Sequence, residues 1–279
     1  DIYSLFGDKR NLSEELLKHR IIFSKLNNRL GAKRFFRYTL HLLPNHIERF
    51  DFSDYDLVIS SSSNVAIGVV TPSKCLHIAY VHTPTRYLWD LRMLSVFNFR
   101  GMKRTIVDFL LVFIRLWETS AANRPDIMIA NSRFVADRIQ KYWRKKVDAI
   151  VTPPVNYFEG EINIKRDNYI VAGAPFEFNK RGDFLLECLA GLSIKVKLIG
   201  EGSMRKRLKR KYSKYTNIEF LENVSDKEKY ELFAHASCFV IPGIEDFGIF
   251  PTEAMSAGCP VLAYKGGGIL ENLKEGTNG

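Results

Sequence analysis

Glu245 and Glu253 stand eight positions apart, with Phe247-Gly248-Ile249 between them and Ala254-Met255-Ser256-Ala257-Gly258-Cys259-Pro260-Val261-Leu262 behind. Carboxylates accept hydrogen bonds from hydroxyl groups, and the unpaired backbone N–H groups at a helix start attract anions. The second acid is expected to open a short helix that closes at Gly258, with a buried strand, Cys259 to Tyr264, directly after it. That order suits sugar hydroxyls on the carboxylates and phosphate on the N–H groups around Phe247, Gly248 and Ile249. Helix electrostatics alone would also favour an acidic first turn, but the string that accompanies the two acids points to a ligand.

Rigid elements must position these groups, and the chain alternates apolar strand-like runs with helix-like stretches, the pattern of parallel α/β domains. Strands are expected at Leu57–Ser60, Leu76–Val81, Asp126–Ala130 and Asp148–Val151, with helices over Thr105–Ala122 and Arg133–Trp143. Asn131-Ser132 precedes the second helix and could cap it. Thr152-Pro153-Pro154-Val155 interrupts regular structure and reads as a hinge. Beyond it come strand Tyr169–Ala172, helix Asp183–Ala190, strand Lys195–Ile199, helix Ser203–Tyr212 and strand Ile218–Leu221. Ser225-Asp226-Lys227-Glu228 is a capping box for a helix to about Ala236, and strand Cys238–Ile241 leads into the acidic loop. Doubly wound domains bind ligands at the carboxyl ends of their strands. Glu245, His82 and Gly200 all follow such ends.

Composition narrows the class. At 279 residues the chain can hold two domains, and 46% hydrophobic with 26% charged residues marks it as globular. Its four cysteines, Cys75, Cys188, Cys238 and Cys259, are widely spaced and read as free thiols rather than a disulfide frame or zinc site. Asp54-Tyr55-Asp56 has the look of a metal-binding Asp-x-Asp, but it precedes a strand, where turn-forming aspartates are common. The net charge of +10 calls for a partner or a reason. Nucleic acid is not favoured, since no zinc-finger, RNP-like or helix-turn-helix pattern is present. Basic residues at Arg100–Arg104 flank the apolar run Ile106–Trp117, which favours peripheral contact with an anionic membrane surface. That run is too short and too charged to span a bilayer.

The Glu245–Glu253 string resembles the Glu-x7-Glu signature of the retaining glycosyltransferases of family 4. The resemblance continues through His82-Thr83-Pro84-Thr85-Arg86-Tyr87-Leu88-Trp89-Asp90, Ala130-Asn131-Ser132-Arg133-Phe134-Val135-Ala136 and Pro153-Pro154-Val155. In these the chain is similar to a bacterial subgroup that includes O-antigen mannosyltransferases using GDP-mannose. It implies a GT-B fold: two Rossmann-like, doubly wound parallel-sheet domains facing a central cleft. The expected acceptor-side domain is 1–152, and the expected nucleotide-sugar domain is 153–279. It also implies a strand, glycine-rich turn and helix before Asp1 and a helix after Gly279, so that the chain is expected to be truncated at both ends.

The resemblance assigns roles. Lys180 matches the lysine that contacts the donor diphosphate, with Arg181 beside it. Glu253 is expected to hold the ribose hydroxyls and Glu245 those of the transferred sugar. Gly200 and Gly202 match a nucleotide-side loop, though Gly-x-Gly alone is equally a plain turn. His82 is expected near the donor sugar or acceptor, and Asn131 and Ser132 on the acceptor side or as caps. Tyr87, Trp89 and Asp90 are structural or acceptor-side. One departure is evident: where the family often has an arginine before the lysine, this chain has Gly173-Ala174-Pro175. Either Arg181 or another basic residue substitutes, or the leaving group is held less strongly.

The expected activity is transfer of mannose from GDP-mannose, with retention and no cofactor or obligatory metal, to a lipid-linked or polysaccharide acceptor at the cytoplasmic side of a membrane. A UDP-sugar donor and a non-catalytic sugar-nucleotide-binding subunit remain as alternatives.

Overall fold

Parallel strands cannot be joined by tight turns, so each needs a crossover to bring the chain back to the same end of the sheet. The computed structural model, which describes residues 1–28, 40–93, 99–160, 162, 165–173 and 176–279, shows this rhythm throughout. Two compact units result, residues 1–131 with 135–151 and residues 132–134 with 152–279.

In the first unit, β1 (Ile2–Ser4) pairs in parallel with β2 (Ile21–Phe23), with the short α1 (Glu14–Leu17) between them. Neither strand was expected from the sequence. After α2 (Leu43–Ile47) comes a four-stranded parallel sheet of β3 (Leu57–Ser62), β4 (Leu76–Val81), β5 (Ile127–Ala130) and β6 (Ala149–Ile150), in that order. The crossover from β4 to β5 is α3 (Gly101–Ala121), and that from β5 to β6 is α4 (Arg133–Trp143). α3 starts four residues before the expected Thr105, because its basic first turn has no apolar period to mark it. Successive strands step one way, so right-handed crossovers stack on one face. Burial follows the pleat: Val58, Ser60 and Ser62 point inward while Leu57 and Ile59 stay exposed.

A buried carboxylate fixes the segment after β4. Glu118 on α3 is 1% exposed and accepts hydrogen bonds from the Thr85 N–H (3.0 Å), Trp89 Nε1 (2.6 Å) and Trp143 Nε1 (3.1 Å). Trp89 stacks on Tyr142 of α4 at 4.8 Å, Asp90 pairs with Arg138 at 2.6 Å, and the Tyr87 hydroxyl donates to Asn64 Oδ1 at 3.1 Å. Tyr87, Trp89 and Asp90 therefore bind their own unit together.

The second unit carries β7 (Tyr169–Gly173), α5 (Gly182–Leu189), β8 (Lys195–Ile199), α6 (Arg205–Lys211), β9 (Ile218–Phe220), α7 (Asp226–His235), β10 (Cys238–Ile241), α8 (Ile249–Ser256) and β11 (Val261–Ala263). Its sheet is wholly parallel with order β11-β10-β7-β8-β9. Both faces are packed. Val171, Phe239 and Ile241 meet Phe233 of α7 and Ala254 of α8, while Ala172, Leu198 and Val240 meet Leu186 of α5 and Leu208 of α6. The capping box at Ser225 and Glu228 starts α7 as expected. The strand before Tyr264 is shorter than expected, and its Leu262 is exposed.

Two measurements test the first unit. His77 is fully buried on β4 with Nε2 2.9 Å from Ser60 Oγ, and burial pushes its imidazole down to about 4. Its folded pKa lies below the unfolded value near 6.5, so its contribution to stability is complete above pH 6.5 and declines as pH falls toward 4. The thermal midpoint should drop over that window, and His77→Asn should flatten the slope. Glu118→Leu leaves three buried donors without an acceptor and should cost about 3 kcal/mol or more in urea unfolding, with Glu118→Gln costing less.

Candidate functional site

The second sheet reverses direction between β7 and β10. From β7 the chain winds out through β8 to β9, then returns to lay β10 on the other side of β7 and continues to β11. Loops leaving β7 and β10 diverge there, which opens a crevice at the strand ends. One loop carries Lys180 and the other Glu245.

These two side chains meet. Lys180 Nζ donates to Glu245 Oε1 at 2.6 Å, with the side chains only 14% and 16% exposed. Lys180 ends a 3-10 turn, Phe178–Lys180. Gly243 lets the turn approach, since a Cβ there would stand 3.1 Å from Lys180 Cα. Arg181 follows in the left-handed region at φ 57°, and its guanidinium lies over the Phe184 ring at 5.1 Å. Ala174 and Pro175, where the absent arginine was noted, lie outside the described residues.

Glu245 is held from behind by glycines that sequence reading passed over. Gly267 forms a parallel bridge with Glu245, and the Gly268 N–H donates to the Glu245 carbonyl at 2.8 Å. A Cβ on Gly267 would fall 2.4 Å from that carbonyl oxygen, and one on Gly268 2.0 Å from the Asp246 oxygen. Three consecutive glycines, Gly266 to Gly268, were the available signal.

The helix expected to open at Glu253 begins earlier. Gly248, at φ 94°, turns the chain into α8 at Ile249, and Pro251 is tolerated in the first turn because its missing N–H would have no partner there. The Ile249 and Phe250 N–H groups have no acceptor among the described residues, so the anion-attracting end lies next to Glu245 rather than at Glu253. Phe247 is buried. Phe250 occupies the space left by Gly173 at the end of β7, where a Cβ would come within 2.4 Å of its ring.

Glu253 sits one turn further on and is 7% exposed. Its Oε1 accepts from Lys229 Nζ at 3.0 Å and from the Tyr230 hydroxyl at 3.4 Å. Burial works against the Lys229 charge, yet the hydrogen bonds it donates to the Asp226 and Glu253 carboxylates outweigh it and raise the ammonium above the ordinary lysine range. Lys229, Phe250 and Gly200 line one cleft of about 260 Å³, together with Ile199, Leu221 and Asn223. Gly202 does not line that cleft; it packs on the Phe176 backbone, where a Cβ would sit 2.6 Å away. A larger groove of about 660 Å³ runs beside α7, where four acids, Asp167, Glu222, Glu228 and Glu231, outnumber Lys227 and His235, and neither Glu245 nor Glu253 borders it.

His82 belongs to the first unit. It closes β4, its Nε2 lies 2.7 Å from Ser61 Oγ, and its ring meets Tyr80 edge-on at 5.1 Å. Asn131 and Ser132 follow β5 and are both buried. Among the described residues no His, Cys, Asp and Glu cluster is arranged to hold a metal ion.

Known proteins resemble the chain in sequence and in fold. Residues 157–279 match the family model described as glycosyl transferases group 1. The human alpha-1,3/1,6-mannosyltransferase ALG2 is 28% identical over 264 residues, covering 81% of this chain and 61% of the relative, so the chain spans less than two thirds of that protein. Sucrose-phosphate synthase from Thermosynechococcus elongatus superposes with a TM-score of 0.70 at 15% identity, over 98% of this chain and 72% of that one. Anabaena HepE, solved with UDP-glucose, gives 0.59 at 17% identity, over 95% and 73%. At such identities the solved structures establish the fold alone, and that fold is GT-B, with two Rossmann-like units. The family match covers residues 157–279, and the solved structures extend the likeness, as a fold, over nearly the whole chain.

Proposed function

We propose that the chain belongs to a retaining family 4 glycosyltransferase that moves mannose from GDP-mannose onto a lipid-linked or polysaccharide acceptor. The observation that carries this reading is the meeting of Lys180 and Glu245 beside the unpaired N–H groups of α8. A cation and aligned dipoles at one point are what a departing diphosphate needs as its negative charge grows. Glu245 is then the partner for hydroxyls of the transferred sugar, and Glu253, paired with the cleft residue Lys229, is the partner for the ribose. Arg181, Gly200 and Gly202 take the nucleotide side. His82, Asn131 and Ser132 take the acceptor side. The acceptor oxygen forms its bond to the anomeric carbon on the face from which the diphosphate leaves, and the acceptor proton passes to a diphosphate oxygen. The sequence similarity to a mannosyltransferase supports the choice of sugar.

The test uses the full-length protein. With GDP-mannose, Lys180→Ala should lower kcat by roughly a hundredfold. Glu253→Ala should mainly raise KM. Wild-type turnover in both variants would reject the assignment. GDP should compete for the site better than UDP; the reverse order transfers the reading to a UDP-sugar donor, and binding without turnover to a non-catalytic subunit.

A further inference from the structure

Helix α3 has two apolar faces. Leu111, Ile114, Glu118 and Ala121 form the buried one. On the opposite side Met102, Ile106, Phe109, Val112, Phe113 and Leu116 are all exposed, by 41% to 80%. At about 100° per residue these six fall within an arc of about 120°, in which Thr105 and Ser120 are the only polar residues and no residue is charged. Phe109 and Phe113 touch edge to face at 4.7 Å, so the exposed rings make one continuous patch. A crossover helix needs one apolar stripe to pack on its sheet. Among the described residues the second stripe joins no core cluster of the unit.

The charges around the patch point to its occupant. Arg100 and Lys103 are exposed at the N-terminal end of the helix, and neither has an acidic partner among the described residues. The one nearby acid, Asp108, is taken by Arg92 at 2.8 Å and Arg104 at 3.8 Å. No helix of the described residues is long and apolar enough to cross a membrane. A helix that cannot span but exposes an uncharged arc lies in the interface, its arc at the acyl boundary and its flanks at headgroup level. The stripe from Met102 to Leu116 runs about 21 Å along that plane. We propose that this face of α3 docks the protein on a bilayer carrying anionic lipid, with Arg100 and Lys103 meeting the headgroup phosphates. The proposal is independent of the donor and of catalysis, because its test reads no turnover.

The full-length protein is sedimented with vesicles of phosphatidylcholine alone and of phosphatidylcholine with phosphatidylserine. Recovery should be substantial on the anionic vesicles only. Phe109→Ser with Phe113→Ser should weaken that binding by roughly tenfold or more. Arg100→Gln with Lys103→Gln should weaken it by roughly twentyfold. Far-UV circular dichroism confirms that each variant is folded, and Met102→Ser with Leu116→Ser stands in if the first pair is not. Equal recovery on both vesicles, or binding unaffected by the serine variants, overturns the proposal. So does a self-associated species that those variants dissolve without any vesicle binding in the wild type.

Discussion

Everything in the second unit depends on one topological constraint, the reversal of strand order between β7 and β10. Right-handed crossovers send successive helices to one face while the sheet grows one way and to the other when it grows back. At the reversal no crossover covers the strand ends, so two loops far apart in sequence emerge side by side. Lys180 and Glu245 are 65 residues apart and 2.6 Å from one another for that reason. The glycines then set the spacing. Gly243 admits the lysine turn, Gly267 and Gly268 admit the backbone of Glu245, and Gly173 leaves room for the first turn of α8. Gly243, Gly267 and Gly268 mark places where backbone must come close, and Gly173 one where an aromatic ring must.

The first unit solves a different problem. Its segment after β4 has little regular structure of its own, and a buried carboxylate organises it. Glu118 is tolerable at 1% exposure because three N–H groups converge on it. Two of those donors, Thr85 and Trp89, lie within the string that begins at His82. The aromatic and charged residues of that string are thereby held against α3 and α4, and His82 is left at the strand end with Ser61.

Sequence reading recovered the strands of both sheets that have four or more residues, together with the capping box, because period and cap chemistry are local. It also found the string around Glu245, whose residues are contiguous. It misplaced the start of α8, since Pro251 reads as a breaker and the left-handed turn at Gly248 that makes it harmless is a backbone fact. Lys229 looked like any charged residue on a helix face; its partner Glu253 is 24 positions away and is supplied by packing. Glu118 was equally silent, being one acid just past the end of an apolar run. What could not be read was the set of partners that only tertiary contact creates.

The Lys180–Glu245 pair has a consequence for any anion that enters. The ammonium is not waiting bare: it is already neutralised at short range and largely shielded from water. A newcomer must displace the carboxylate or share the cation with it, and the released oxygens of Glu245 then need donors of their own. A ligand carrying both negative oxygens and hydroxyl groups satisfies both sides of the exchange at once. An anion with no hydrogen-bond donor, such as chloride, answers only the ammonium and leaves the Glu245 oxygens unpaired.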